Sequence, residues 1–233
     1  LIGLISTFRL LGRTAPLHVY GPKGIKEIIT LQLKLAKSWT DYPLHFHELE
    51  KNTSELIFED ETVQVETLPL DHRVYTNGFL FTTQSTKRKI NTEALQEIDL
   101  QPFHYQQLQQ GTDITLDSGK VLENDAYTLP PSPPMKYAYC SDTAYFEPLV
   151  PLIKEVDLLY HEATFLEKNN TLAAKTKHST AKQAAQIAKM ANVKQLMVGH
   201  FSNRYPNKED FISEASGIFK NVILAKDLKT FKI

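Results

Sequence analysis

Three stretches decide the fold. Lys136-Tyr-Ala-Tyr-Cys140 runs into Ser-Asp142-Thr. Asp157-Leu-Leu-Tyr160 runs into His161-Glu162-Ala-Thr164. Lys194-Gln-Leu-Met-Val198 runs into Gly-His200-Phe-Ser202. Each is a short apolar run followed at once by polar, chemistry-bearing residues, as buried strands of an open α/β sheet are. Between the second and third lies Thr180–Ala191, an Ala-rich helix with Ser179 or Thr180 as its N-cap. The order β-loop-α-β predicts a parallel arrangement with functional side chains at the carboxyl ends of the strands.

Upstream the pattern alternates. Thr62–Thr67 and Gly78–Phe81 read as strands with one wet face, with a turn at Glu59–Glu61 before them. Further back, Gly21-Pro22 precedes an amphipathic helix over Gly24–Ser38. Residues 84–134 break the pattern. They hold Lys87-Arg88-Lys89, a short helical piece over Thr92–Ile98, a hairpin candidate over Asp113–Leu122, and Pro130-Pro-Ser-Pro-Pro134. The proline run reads as a stiff connector, and the whole stretch as an excursion from the core.

Composition narrows the class. Of 233 residues, 42% are hydrophobic and 23% charged, which suits a folded domain. One cysteine excludes a disulfide framework and a cysteine-based zinc finger. No apolar run is long enough to span a membrane. The net charge of −1 hides an asymmetry. Residues 1–37 carry six basic and one acidic residue, 38–167 eight and 22, and 168–233 twelve and four. A basic C-terminal third suits a polyanionic partner, although solvated helix faces account for lysines equally well.

The residues at the strand ends form one chemical set: His72, Asp142, His161, Glu162 and His200, with His178 just before a helix. Imidazole and carboxylate together hold Zn²⁺ or Mn²⁺, and water on such ions is activated near neutral pH. His18, His45, His47 and His104 are read as structural, including the His45-Phe46-His47 pair.

These residues carry a resemblance. Tyr139–Tyr145 is similar to the (G/S)-D-T segment of metallo-β-lactamase-fold hydrolases. Asp157–Phe165 contains the H-E-A-T motif of the ribonuclease Z (tRNase Z) family. Lys177–Ala188 resembles its H-S-T-A-x-Q-A-A helix start, and Val198–Tyr205 its T-H-F-S-x-R-Y segment. Leu70–Val74 followed by Asn77-Gly-Phe79 is similar to its histidine segment before a G-Y/F strand. The five motifs stand in family order over most of the chain.

The resemblance implies an α/β fold of the metallo-β-lactamase type, an αββα sandwich in one domain over 1–233, with 84–134 as an inserted arm. It implies a zinc-dependent endoribonuclease that removes the 3′ trailer from precursor tRNA. Asp142 would bridge two zinc ions, His72 would complete one site and His200 the other. Glu162 and His178 would act as a pair at the leaving 3′-oxygen, with His161 supporting Glu162. Arg204, Lys87, Arg88 and Lys89 would contact phosphate. A homodimer and a cytoplasmic location are implied in the same way. Gln101-Pro-Phe-His-Tyr105 departs from the family's Pro-Gly-Pro arm segment.

One departure is larger. The family's H-x-H-x-D-H motif is nowhere in the sequence, and Leu1–Ser6 resembles the helix that follows it. The fold is therefore expected to be incomplete at its N-terminal side. The chain alone is expected to bind zinc weakly and to be inactive. Two other functions stay open: a phosphodiesterase or sulfatase of small esters, and a non-catalytic RNA-binding relative.

Overall fold

A computed structural model describes residues 1–84 and 87–232. Ser85 and Thr86, within the expected arm, and Ile233 lie outside the described residues. The chain opens with α1 (Ile2–Leu10), β1 (Leu17–Pro22), α2 (Ile25–Leu35) and β2 (Leu44–Leu49). β3 (Leu56–Glu59), β4 (Val63–Pro69) and β5 (Asn77–Thr83) follow. The excursion holds β6 (Lys89–Ile90), α3 (Pro102–Gln109), β7 (Ile114–Thr115), β8 (Val121–Leu122), α4 (Asn124–Tyr127) and β9 (Thr128–Leu129). The last part runs β10 (Lys136–Cys140), β11 (Leu158–Glu162), α5 (Asn170–Thr176), α6 (Ala181–Met190), β12 (Gln195–Gly199), α7 (Glu209–Ser216) and β13 (Val222–Leu224).

The main sheet has seven strands in the order β13-β12-β11-β10-β5-β4-β3. β10 through β13 are parallel, and β3, β4, β5 and β10 are antiparallel neighbours. The change from β10 onward follows the sequence: continuous apolar runs make the parallel half and alternating runs the antiparallel half. The α6 face that packs on the sheet presents Ala181, Ala184, Ala185 and Ala188, all fully buried. Alanine lets helix and strands approach closely, so a larger side chain there would overpack the layer. Thr180 caps α6, its hydroxyl accepting from Gln183 N while the Gln183 side chain accepts from Thr180 N. This is a capping box.

A second, two-stranded parallel sheet joins β1 to β2 and is covered by its own helices. Ile5, Ile29, Leu33 and Tyr42 form its core. The α/β layering expected from the sequence is present, with a helical layer on each sheet. The excursion has a third core of Leu95, Leu100, Leu108, Ile114 and Leu122. Its hairpin stands where it was expected, with Ile114 opposite Leu122. Thr92–Ile98 does not form a helix. Residues 92–97 are turns, begun by Asn91 Oδ1 accepting from Ala94 N. A piece this short does not hold an isolated helix. The helix forms instead at Pro102–Gln109, where Pro102 occupies the first turn.

Gly78 explains the Asn-Gly-Phe element. A Cβ there would overlap the Tyr139 carbonyl of the neighbouring strand. Only glycine lets β5 lie this close to β10 at that point. Among the described residues, no helix is long and apolar enough to cross a membrane.

Candidate metal centre

Register brings the site together. Cys140 pairs with His161, and Glu162 with Gly199, on adjacent parallel strands. Strands in a sheet lie about 4.8 Å apart. Asp142, Glu162 and His200 therefore leave three neighbouring strand ends side by side. With His178, from the segment before α6, their ligand atoms all lie within 4.8 Å of one another. Asp142 (φ 62°), Lys177 (φ 61°) and His200 (φ 59°) occupy the left-handed region. That conformation is uncommon for residues with a Cβ and clusters at functional sites.

Glu162 is the hub. It is fully buried, and its carboxylate accepts five hydrogen bonds. Oε1 accepts from Thr143 N at 3.0 Å and His178 Nδ1 at 2.7 Å. Oε2 accepts from Thr164 N at 3.1 Å, Thr164 Oγ1 at 2.6 Å and Ser179 N at 3.1 Å. One side chain thus ties together the Asp-Thr, H-E-A-T and H-S-T segments. Its lone pairs are filled, so it orients neighbours rather than ligating an ion. Burial by itself would raise its pKa, but the hydrogen bonds from His178, Thr164 and Ser179 hold it below the usual carboxylate value. The hydrogen bond to Glu162 in turn raises His178 above the ordinary histidine value, against the effect of burial.

The hydrogen bonds also settle the tautomers. A carbonyl only accepts, so His72 Nδ1 donates to Lys177 O at 2.9 Å. Its Nε2 is left bare. Thr164 Oγ1 spends its one proton on Glu162, so His200 Nδ1 donates to Thr164 Oγ1 at 2.8 Å. His200 Nε2 then faces Asp142 Oδ1 at 3.1 Å. A lone pair and a carboxylate oxygen turned toward each other call for a cation between them, a proton or a metal ion. The residues present therefore fit a metal.

The imidazoles of His72 and His178 lie 5.2 Å apart between ring centres, and those of His178 and His200 5.4 Å. His178 thus lies between His72 and His200, and His72 borders the group formed by Asp142, Glu162, His178 and His200. His161 turns away: it is buried, its Nδ1 bonds the Glu162 carbonyl at 2.7 Å, and its Nε2 has no partner among the described residues. Burial holds its pKa below the ordinary value. Arg204 lies over the Phe165 ring, whose edge meets His178. Lys87 and Lys89 are exposed on the excursion. Arg88 is engaged internally: its guanidinium donates to Thr128 Oγ1 at 2.7 Å and to Asp125. His18, His45, His47 and Tyr20 stack on one face of the small sheet, outside this centre.

Two residues were not singled out from the sequence. Thr164 joins the Glu162–His178 pair to His200. Lys177 joins the His72 loop to the start of α6. The left-handed conformation of Lys177 has no signature in its local sequence.

Helix-layered sheets with histidine and carboxylate donors at the strand ends define a metallo-β-lactamase-type hydrolase. The β-lactamase superfamily domain model matches residues 3–201. The chain is 46% identical to ribonuclease Z from Cytophaga hutchinsonii over 100% of this chain and 74% of that protein. It is 42% identical to ribonuclease Z from Bacteroides fragilis over 97% of this chain and 75% of that protein. The crystal structure of human tRNase Z, short form, superposes with a TM-score of 0.65 at 24% identity, over 100% of this chain and 73% of that one. The chain belongs to the ribonuclease Z family.

Proposed function

We propose that the protein is a zinc-dependent endoribonuclease that removes the 3′ trailer from precursor tRNA. The observation that carries this reading is the 2.7 Å Glu162–His178 pair lying beside the Asp142–His200 donors. Asp142, His72 and His200 would hold the ions, with Asp142 bridging two of them. Bound zinc supplies activation of water and charge stabilisation at phosphorus. The chain's own residues do the rest. Glu162 holds the His178 ring by Nδ1, so Nε2 is free to keep a proton and release it to the leaving 3′-oxygen. Arg204, braced on Phe165, offers a planar fork to phosphate. Residues 84–134 act as an arm on the RNA, with Lys87 and Lys89 on its phosphates. Arg88 contributes chiefly by holding that arm together.

Three ligands for two ions fall short of the three per ion usual in catalytic zinc sites. We therefore propose that residues 1–233 alone hold zinc weakly and cleave poorly. Full activity in this reading needs ligands beyond these three. A cytoplasmic homodimer is the working state in this reading.

The test is cleavage of a precursor tRNA carrying a labelled trailer by the gene product as encoded. Cleavage at the trailer junction, abolished by chelation and by Asp142→Ala, is the expected result. Cleavage that survives Asp142→Ala would refute the bridging role.

A further inference from the structure

Lys177 grips two consecutive residues of one loop with two different groups. Its main-chain carbonyl accepts the Nδ1–H of His72 at 2.9 Å. Its Nζ donates to both carboxylate oxygens of Asp71, at 3.0 and 2.8 Å. The loop between Pro69 and Asn77 has no strand or helix of its own, so these contacts define where His72 sits. Asp71 is anchored a second time through its backbone. Asp71 O accepts from Ala144 N at 2.8 Å, and Asp71 N donates to Thr143 Oγ1 at 3.2 Å. The Asp71–His72 pair is therefore pinned between the loop carrying Asp142 and the turn carrying His178.

The backbone of Lys177 suits this role. It ends α5 in the left-handed conformation, φ 61° and ψ 47°. Glycine or asparagine is the usual residue there. The turn directs the Lys177 carbonyl to His72 while the next residue, His178, meets Glu162. The Lys177 and Asp71 side chains are 42% and 34% exposed. An ion pair that open contributes little to global stability. Its consequence is local.

We infer that Lys177 is a positioning residue, which through Asp71 and its own carbonyl holds His72 in the tautomer and place that present Nε2 to the metal. This rests on the reading of His72 as a ligand. Groups that orient a ligating histidine commonly matter about 10- to 100-fold for metal affinity.

The test measures zinc affinity by competition with a chromophoric chelator, and kcat and KM on precursor tRNA for the gene product as encoded. Lys177→Met and Asp71→Asn are each expected to weaken zinc binding by about tenfold or more and to lower kcat with KM unchanged. The double variant should be no worse than either single one, and Lys177→Arg should recover most of the loss. Unchanged zinc affinity in Lys177→Met, with a raised KM, would mean that the lysine touches RNA directly and would overturn the inference. Should Lys177→Met fail to fold, Asp71→Asn decides by the same two readouts, since it leaves the α5 turn untouched. His72→Ala separates the two levels. Zinc affinity unmoved by His72→Ala defeats the ligand reading itself. Zinc affinity lost in His72→Ala but kept in Lys177→Met and Asp71→Asn defeats the positioning inference alone.

Discussion

His200 Nε2 stands 3.1 Å from Asp142 Oδ1 while the other ring nitrogen of His200 donates to Thr164 Oγ1. The pair is thus built to share a cation. Zinc should bind the folded chain and not the unfolded one. At about 100 times Kd this adds about 2.7 kcal/mol of stability, or roughly 5–10 °C in Tm for a domain of this size. Differential scanning fluorimetry with and without zinc checks it. Asp142→Ala should remove most of the zinc-dependent rise, and a full rise in that variant would exclude Asp142 as a ligand.

Thr164 links the two halves of the centre, and its hydroxyl is the only part that matters for the link. Thr164→Val keeps the shape but leaves His200 Nδ1–H and Glu162 Oε2 each short of a partner. Zinc affinity should fall about 10- to 100-fold, and stability by about 1–3 kcal/mol. Thr164→Ser should restore both. Chelator competition and urea unfolding read the two effects separately.

Much of this arrangement is legible in the sequence, and the reason is local. β10 is recognisable residue for residue because its apolar run ends sharply at Ser141. The start of α6 is legible from its N-cap candidates Ser179 and Thr180, of which the structure uses Thr180. Asp142, Glu162 and His200 follow because each stands at a strand end, and His178 because it stands just before the α6 cap. The Lys177–Asp71 contact and the Thr164 bridge to His200 are invisible at that level. They join positions 106 and 36 residues apart, so they exist only once sheet register is set. The helix misplaced to Thr92–Ile98 shows the opposite case. That piece is too short to hold a helix by itself, and the start signal lies at Pro102.

Glu162→Gln tests the hub. The substitution replaces one acceptor oxygen of a fully buried carboxylate with a donor, where every neighbour is already a donor. A loss of about 3 kcal/mol or more is expected, as for other broken buried pairs. Cleavage should fall about 10²- to 10⁴-fold, the range of a general acid–base contribution. Thermal unfolding and single-turnover kinetics measure these, and a Gln variant with unaltered Tm would show the pocket to be more yielding than its five hydrogen bonds indicate.

The Glu162–His178 pair also fixes a pH window for the metal-free protein. The hydrogen bond to Glu162 raises His178, against burial, above its ordinary 6.5. Its contribution is therefore complete below 6.5 and disappears as pH rises through the raised folded value. For Glu162, burial acts upward, but hydrogen bonds from His178 and Thr164 leave it below its ordinary 4.5. Its contribution is complete above 4.5 and disappears as pH falls through the lowered folded value. The pair should stabilise most between about 4.5 and 6.5. The difference in unfolding free energy between the wild-type chain and His178→Asn should be greatest in that window and shrink toward pH 9. A difference that grew with pH would reverse the assigned sign.

The basic residues of the excursion should separate by salt dependence. Lys87 and Lys89 project from the arm without an internal salt bridge among the described residues. In the proposed reading each would neutralise one phosphate. Lys87→Ala or Lys89→Ala should weaken tRNA binding and reduce the slope of log K against log salt by about 0.7–0.9. Neither should alter Tm, because exposed lysines contribute little to folding. Arg88→Ala should behave in the opposite way. It removes the bonds to Thr128 and Asp125 that close the arm, so protease sensitivity of residues 84–134 should rise. Any loss of RNA binding in that variant would follow from the loosened arm and leave the slope per contacting lysine unchanged. Equal slope changes in all three variants would show that Arg88 leaves Asp125 to meet phosphate when RNA binds.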